Sequence, residues 1–267
     1  MAKWIIILLS IIILGVIGFF ALNSYIYNEK QADPAEEAQK EAAMTNEDLK
    51  VTPIEHATMV LELNGKVIYT DPVGGAMLFE SKPKPDIILI TDIHGDHLDP
   101  ETLNAVSTES TTIIVPQAVA DELPKEVVGN LVILENGKSI TQSDIEITAV
   151  PMYNVPETSN SAHTKGRGNG YVLESMGQRI YIAGDTGNTP EMQTLQNIDV
   201  AFIPMNLPYT MSVEEAAEGV VAFKPKIVHP YHYRGPDGLA DIEMFKTLVN
   251  ERDPQIRVEL LNFYPKE

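Results

Sequence analysis

The 267-residue chain contains no cysteine. That excludes disulfides, thiolate metal sites, a cysteine nucleophile and a lipid anchor on Cys, so a transition-metal site must use His and carboxylates. Basic residues are also scarce. Lys and Arg number 19 against 38 Asp and Glu, for a formal net charge of −19. Phosphate backbones are held by a basic footprint, so no nucleic-acid partner is expected. The acidity favours solubility and draws cations. Apolar residues make up 44% of the chain and charged residues 21%, enough for a sizeable core.

One long apolar run is present. Residues 4–22 read WIIILLSIIILGVIGFFAL, uncharged and interrupted by a single Ser. About 20 such residues span a bilayer as a helix. Lys3 precedes the run, and the positive-inside preference places the rest of the chain outside the cytoplasm. A cleaved signal peptide, leading to secretion, is the alternative. Its apolar stretch is usually about 7–15 residues and ends in small residues. Phe19-Phe20-Ala21-Leu22 offers no such ending. Residues 1–27 are therefore expected to be a transmembrane anchor or signal segment. Residues 28–52, acidic and rich in Ala and Glu, read as a linker. Residues 53–267 read as the globular domain.

Within that domain, Thr58–Leu63 and Lys66–Thr70 alternate as strands across Asn64-Gly65, a strong hairpin signal. The run DIILIT, 86–91, reads as a buried strand. Asp99-Pro100 reads as a helix start, with Asp as N-cap and Pro in the first turn. Strands are expected at 111–115, 131–134, 145–150, 170–174, 179–183, 200–204, 226–229 and 258–263. Helices are expected at 118–123, 213–223 and 241–251. Hairpins come first and helix–strand alternation later, which favours a layered α/β or α+β sandwich.

All six histidines lie in this domain, mostly at strand ends or in the loops beyond them. The densest segment is Asp92-Ile93-His94-Gly95-Asp96-His97, with four candidate ligands in six residues directly after a buried strand. Alternation directs residues 92, 94 and 96 the same way if the strand continues, and Gly95 permits a tight turn. Imidazole and carboxylate suit zinc, iron or manganese. A polar loop capping the Asp99 helix needs none of these residue types at this spacing. Asp185, in Ala183-Gly184-Asp185-Thr186-Gly187, follows another strand and has the chemistry to bridge two ions. His163 and His232 lie in a loop and just past a strand, and each is a weak signal taken singly.

Together these segments resemble the metallo-β-lactamase fold superfamily of metal-dependent hydrolases, most of all its branch of L-ascorbate-6-phosphate lactonase-like proteins. The resemblance spans about residues 54–233. His56-Ala57-Thr58 and Asp71-Pro72 resemble the branch's opening, and 92–97 its His-x-His-x-Asp-His signature. Tyr153-Asn154, His163, Lys165-Gly166 and Asn169-Gly170-Tyr171-Val172 resemble the segment of the third metal histidine. Tyr181 to Gly187 resembles the bridging-Asp motif. Asp199 to Pro204, Thr210-Met211-Ser212 and Pro230-Tyr231-His232-Tyr233 resemble the closing segments.

The resemblance implies a four-layer αββα sandwich and two divalent ions, zinc first, with manganese or iron as alternatives. One ion would use Asp92, His94 and His163. The other would use Asp96, His97 and His232, with Asp185 bridging. Asp96 would also act catalytically, orienting the nucleophile or shuttling its proton. The signature's first histidine is Asp92 here, which either ligates or withdraws to orient a neighbouring His. His56 is expected to line the pocket or orient a ligand, and Asp71 to hydrogen-bond beneath the metal loop. His229 either supports the site or is a core strand histidine. Tyr209 either faces the substrate or packs. The expected activity is attack by a metal-activated hydroxide on a small-molecule lactone, ester or phosphoester. The alternative is a non-catalytic, membrane-tethered metal-binding or sensing protein.

Overall fold

The computed structural model of the chain describes residues 49–265. Hydrophobic alternation builds its first sheet. β1 (Leu49–Glu55), β2 (Thr58–Leu63) and β3 (Lys66–Thr70) form an antiparallel meander. Asn64 and Gly65 close the second hairpin with φ of 49° and 77°, the left-handed pair that such a two-residue turn needs. β4 (Ile87–Leu89), α1 (Pro100–Val106), β5 (Thr112–Val115), α2 (Gln117–Glu122) and β6 (Asn130–Ile133) come next. β3 to β6 pair in parallel, and the sheet order is β1-β2-β3-β4-β5-β6. α1 starts as its sequence indicates, with the Asp99 carboxylate accepting from the Glu101 and Thr102 amides.

The second sheet takes the rest of the chain. β7 (Ser139–Gln142), β8 (Ile145–Met152), β9 (Gly168–Ser175) and β10 (Gln178–Ile182) are antiparallel. α3 (Pro190–Gln193), β11 (Val200–Pro204), α4 (Val213–Phe223), β12 (Ile227–Tyr231), a small ribbon of β13 (Arg234–Gly235) and β14 (Gly238–Leu239), α5 (Ile242–Arg252) and β15 (Arg257–Val258) complete it. The order is β15-β12-β11-β10-β9-β8-β7, parallel from β10 to β15.

Period-two alternation sorts the side chains into layers. Ile87 and Leu89 join Leu61, Ile68, Leu173 and Ile182 in the core between the sheets. Ile88 and Ile90 point the other way, against Leu103, Val106 and Val119 of α1 and α2. Ala216, Val220 and Phe223 of α4 and Phe245 and Val249 of α5 join the core from the second sheet's side. The result is a mixed α/β sandwich of two facing sheets with helices outside. β3, β4, β10 and β12 all end at the same edge, so the loops after them meet there.

Cross-sheet hydrogen bonds pin that edge. Tyr171, fully buried on β9, donates its hydroxyl to the carbonyls of Ile90 at 2.8 Å and Ile114 at 3.3 Å in the other sheet. The Asn169 amide donates to the Thr91 carbonyl at 2.9 Å. The approach is close enough that a Cβ on Gly168 would lie 2.9 Å from that same carbonyl.

Several elements differ from the expectations drawn from sequence, the β13–β14 ribbon among them. Residues 49–52, assigned to the linker, are the first half of β1, paired with β2 from Leu49↔Leu63 onwards. β7 is not signalled because its alternation is between exposed and half-buried residues at the sheet margin. α3, a single turn, is too short to show a helical period. The closing strand shrinks to Arg257–Val258, because the chain beyond it leaves the sheet and the Phe263 carbonyl accepts from the His56 amide instead. The run at 4–22 lies outside the described residues, and among the described residues no helix is long and apolar enough to cross a membrane.

Replacing Tyr171 with Phe keeps the packing but removes the Ile90 carbonyl's bond to the Tyr171 hydroxyl, while the Ile114 carbonyl keeps the Ile90 amide at 3.1 Å. The variant is expected to lose about 1–3 kcal/mol of stability, lowering the melting temperature by roughly 2–4 °C per kcal/mol for a domain of this size. An unchanged thermal melt would show that this bridge does not hold the sheets together.

Candidate metal centre

The loop after β4 is held from below by Asp71, which follows β3. Asp71 is fully buried and accepts from the Thr91 amide and hydroxyl, both at 2.7 Å, while its Oδ2 lies 2.9 Å from His97 Nδ1. With Nδ1 donating, His97 presents the lone pair of Nε2 to the site. His163 is arranged the same way. Its Nδ1 lies 3.1 Å from the Tyr209 carbonyl, leaving Nε2 directed inwards.

Asp185, just past β10, is the shared neighbour. Its Oδ2 is 3.2 Å from His163 Nε2 and 3.4 Å from His97 Nε2, and its Oδ1 is 3.2 Å from His232 Nε2. His232 Nε2 is in turn 3.1 Å from His97 Nε2 and 3.4 Å from Asp96 Oδ2. On the other flank, Asp92 Oδ2 lies 2.8 Å from His94 Nδ1 and 3.6 Å from His163 Nε2. Two ligand-like triads result: Asp92, His94 and His163, and His97, Asp185 and His232. A third, His56, Asp96 and His232, shares a residue with the second.

Seven residues expected at the metals are thus brought together: Asp92, His94, Asp96, His97, His163, Asp185 and His232. Asp92, His97, His163, Asp185 and His232 are buried, whereas the His94 and Asp96 side chains are 40% and 44% exposed. Solvent reaches the cluster from the His94 and Asp96 side.

The donor set fits divalent cations. Among the described residues, His163 Nε2, Asp185 Oδ1 and His232 Nδ1 are buried without a hydrogen-bond partner, an arrangement that is costly unless something else satisfies such atoms. His163 Nε2 and Asp185 Oδ1 both face other ligand atoms at 3.2 Å, a separation suited to atoms sharing an ion.

The electrostatics agree. Burial pushes the Asp185 carboxyl up, but the imidazoles of His232, His97 and His163 outweigh it and hold the group well below the usual carboxylate range. Asp96 is likewise depressed, burial being outweighed by hydrogen bonds from His232 and His56. Burial lowers His97, yet Asp185 and Asp71 together raise it well above an ordinary imidazole.

His56 Nε2 is 3.1 Å from Asp96 Oδ2 and its Nδ1 is 2.5 Å from the Tyr264 hydroxyl, which places His56 between the two. His56, Asp71 and His232 have φ of 58°, 46° and 47°, the left-handed region that Asp and His enter more readily than most residues and that redirects the chain at each. His229 belongs to the core. Its Nδ1 is 3.0 Å from the Glu259 carbonyl and its ring stacks on Phe202, away from the cluster. Of the two roles left open for it, the core one holds and the supporting one does not. Tyr209 contributes its carbonyl, accepting from His163 and from Asn154 Nδ2 at 2.7 Å, and its side chain is exposed.

Sequence reasoning does not find Arg167 or Tyr264. Arg167 donates through Nε and Nη2 to both oxygens of Asp92, at 3.1 and 2.9 Å. Nothing in the local sequence marks it except its place two residues before Asn169, which touches the strand end carrying Asp92. Tyr264 reaches the site through the chain's departure from β15, which no periodicity announces.

Comparison with known proteins accords with this geometry. A model of the β-lactamase superfamily domain matches residues 50–232. A UPF0173 metal-dependent hydrolase of Pyrococcus furiosus is 32% identical over 213 residues, covering 76% of this chain and 93% of the relative. The crystal structure of an inferred metal-dependent hydrolase from Parabacteroides distasonis is 40% identical, with a TM-score of 0.70, over 79% of this chain and 92% of that one. Igni18, a metallo hydrolase from Ignicoccus hospitalis, shares the fold at a TM-score of 0.68 and 24% identity, over 80% of this chain and 95% of that one. The chain belongs to the metallo-β-lactamase superfamily and, within it, to the metal-dependent hydrolases.

Proposed function

We propose that the chain holds two divalent cations, zinc in the first instance with manganese or iron as alternatives, and hydrolyses a lactone, ester or phosphoester. The observation that carries this reading is the buried set of potential ligand atoms of His97, His163, His232 and Asp185 that face one another at 3.1–3.4 Å. Asp92, His94 and His163 would hold one ion. Asp96, His97 and His232 would hold the other, with Asp185 between the two. Bound divalent cations lower the pKa of water and stabilise oxyanion charge as it develops.

The residues around them divide the remaining work. Asp71 and the Tyr209 carbonyl fix the tautomers of His97 and His163. His56 turns Asp96 towards the open side. Half-exposed and 3.1 Å from His56, Asp96 is placed to orient water or to shuttle its proton. Substrate enters over His94 and Asp96, where the cluster meets solvent.

The full chain is expected to retain two ions after desalting. Asp185→Ala should lose at least one of them together with turnover of a panel of lactones, esters and phosphodiesters. Full activity in that variant would sink the reading. Asp71→Asn, which disturbs the His97 tautomer, should cost about 10–100-fold in metal affinity.

A pH dependence arises from His97. In the metal-free protein its imidazole stays protonated above the ordinary value of 6.5, so an ion bound at Nε2 displaces a proton. Affinity should therefore weaken as pH falls, beginning above 6.5. Calorimetry in buffers of different ionisation enthalpy measures the released proton. Binding without proton release near neutral pH would contradict this role for His97.

Residues 4–22 are proposed to tether this domain to a membrane with the site outside the cytoplasm. Protease added to intact cells should then digest residues 49–265 of the metal-free protein. Protection until the cells are lysed would rule that orientation out.

A further inference from the structure

Residue 92 departs from the His-x-His-x-Asp-His pattern, and the change is one of charge as well as shape. An imidazole ligand is neutral. Asp92 brings a full negative charge into a pocket that already holds Asp185, and both are buried. A buried carboxylate is costly unless it is paired and hydrogen-bonded.

Arg167 supplies the pairing. Its Nε donates to Asp92 Oδ1 at 3.1 Å and its Nη2 to Oδ2 at 2.9 Å, the two-pronged geometry that a guanidinium offers and an ammonium does not. The backbone explains how Arg167 arrives there. β9 starts at Gly168, the Asn169 amide binds the Thr91 carbonyl at 2.9 Å, and Gly168 has no Cβ to hold the two segments apart. The residue before Gly168 is thereby delivered beside the residue after Thr91. The guanidinium also orients the carboxylate. Oδ2 faces the site, 2.8 Å from His94 Nδ1 and 3.6 Å from His163 Nε2.

We propose that Arg167 is a positioning residue that makes Asp92 serviceable as a metal ligand: the formally neutral Asp92–Arg167 pair replaces the neutral imidazole of the pattern, and the guanidinium turns Oδ2 towards His94 and His163. The assignment rests on the two-ion reading given above. It carries a specific corollary. An imidazole at residue 92 would need no counter-charge, so the requirement for Arg167 should vanish with the carboxylate.

The test compares full-length wild type, Arg167→Met, Arg167→Lys and the double variant Asp92→His/Arg167→Met. Zinc and manganese content is measured after desalting, affinity by chelator competition, and folding by thermal unfolding without metal. Arg167→Met is expected to weaken one of the two ions by about 10–100-fold, the range for losing a group that orients a ligand. Arg167→Lys should recover part of that loss, and the double variant should return to within a few-fold of wild type. Arg167→Met with wild-type affinity for both ions would overturn the assignment. So would a double variant no better than Arg167→Met, or one that fails to fold. A wild type that retains one ion would overturn the two-ion reading alone, and the Arg167 assignment would then stand or fall on whether Arg167→Met weakens that ion. A wild type that retains none would overturn both.

Discussion

Asp185 is a carboxylate with almost no access to water, set among three imidazoles, and the geometry of the site edge is arranged around that constraint. A buried charge needs a counter-charge at short range. His97, held above the ordinary imidazole range by Asp185 and Asp71, supplies it when no ion is bound. A divalent ion would supply it more effectively, because it can face several donor atoms at once. Every surrounding device serves this arrangement. Asp71 and the Tyr209 carbonyl occupy the far nitrogens of His97 and His163, so the near ones remain available. Left-handed backbone at His56, Asp71 and His232 redirects the chain at each.

The sheets make such aiming possible. Four strands end at one edge, and their loops need only a few residues to converge. The sheets are locked to each other there by Tyr171 and Asn169 rather than by apolar contact alone. Hydrogen bonds fix direction and distance more narrowly than packing does, and a metal site tolerates little error in either. Polar bridging at the functional edge and apolar packing beneath it divide precision from stability.

Much of this is legible in the sequence. Asn64-Gly65, Asp99-Pro100 and the apolar run before Thr91 announce their structures locally, through turn, cap and burial chemistry. The candidate ligands are legible because residues 92–97 are chemically implausible as an ordinary loop. What stays hidden depends on contacts remote in sequence. Arg167 is 75 positions from Asp92, and its partner is set by how β9 crosses the other sheet. Tyr264 is 208 positions from His56. His229 shows the converse: the sequence leaves it between a supporting and a core role, and its stacking on Phe202 selects the core. A strand reverses side-chain direction at every residue, so proximity along the chain does not decide which face a group serves.

The contact between His56 and Tyr264 has one more consequence. It joins the first turn of the domain to almost its last described residue, and the His232 amide also donates to the His56 carbonyl, at 3.3 Å. A chain emerging vectorially, from a ribosome or through a translocation channel, presents His56 early and its partners last. The centre can therefore close only once the segment carrying Tyr264 is available, so one end of the described domain waits on the other.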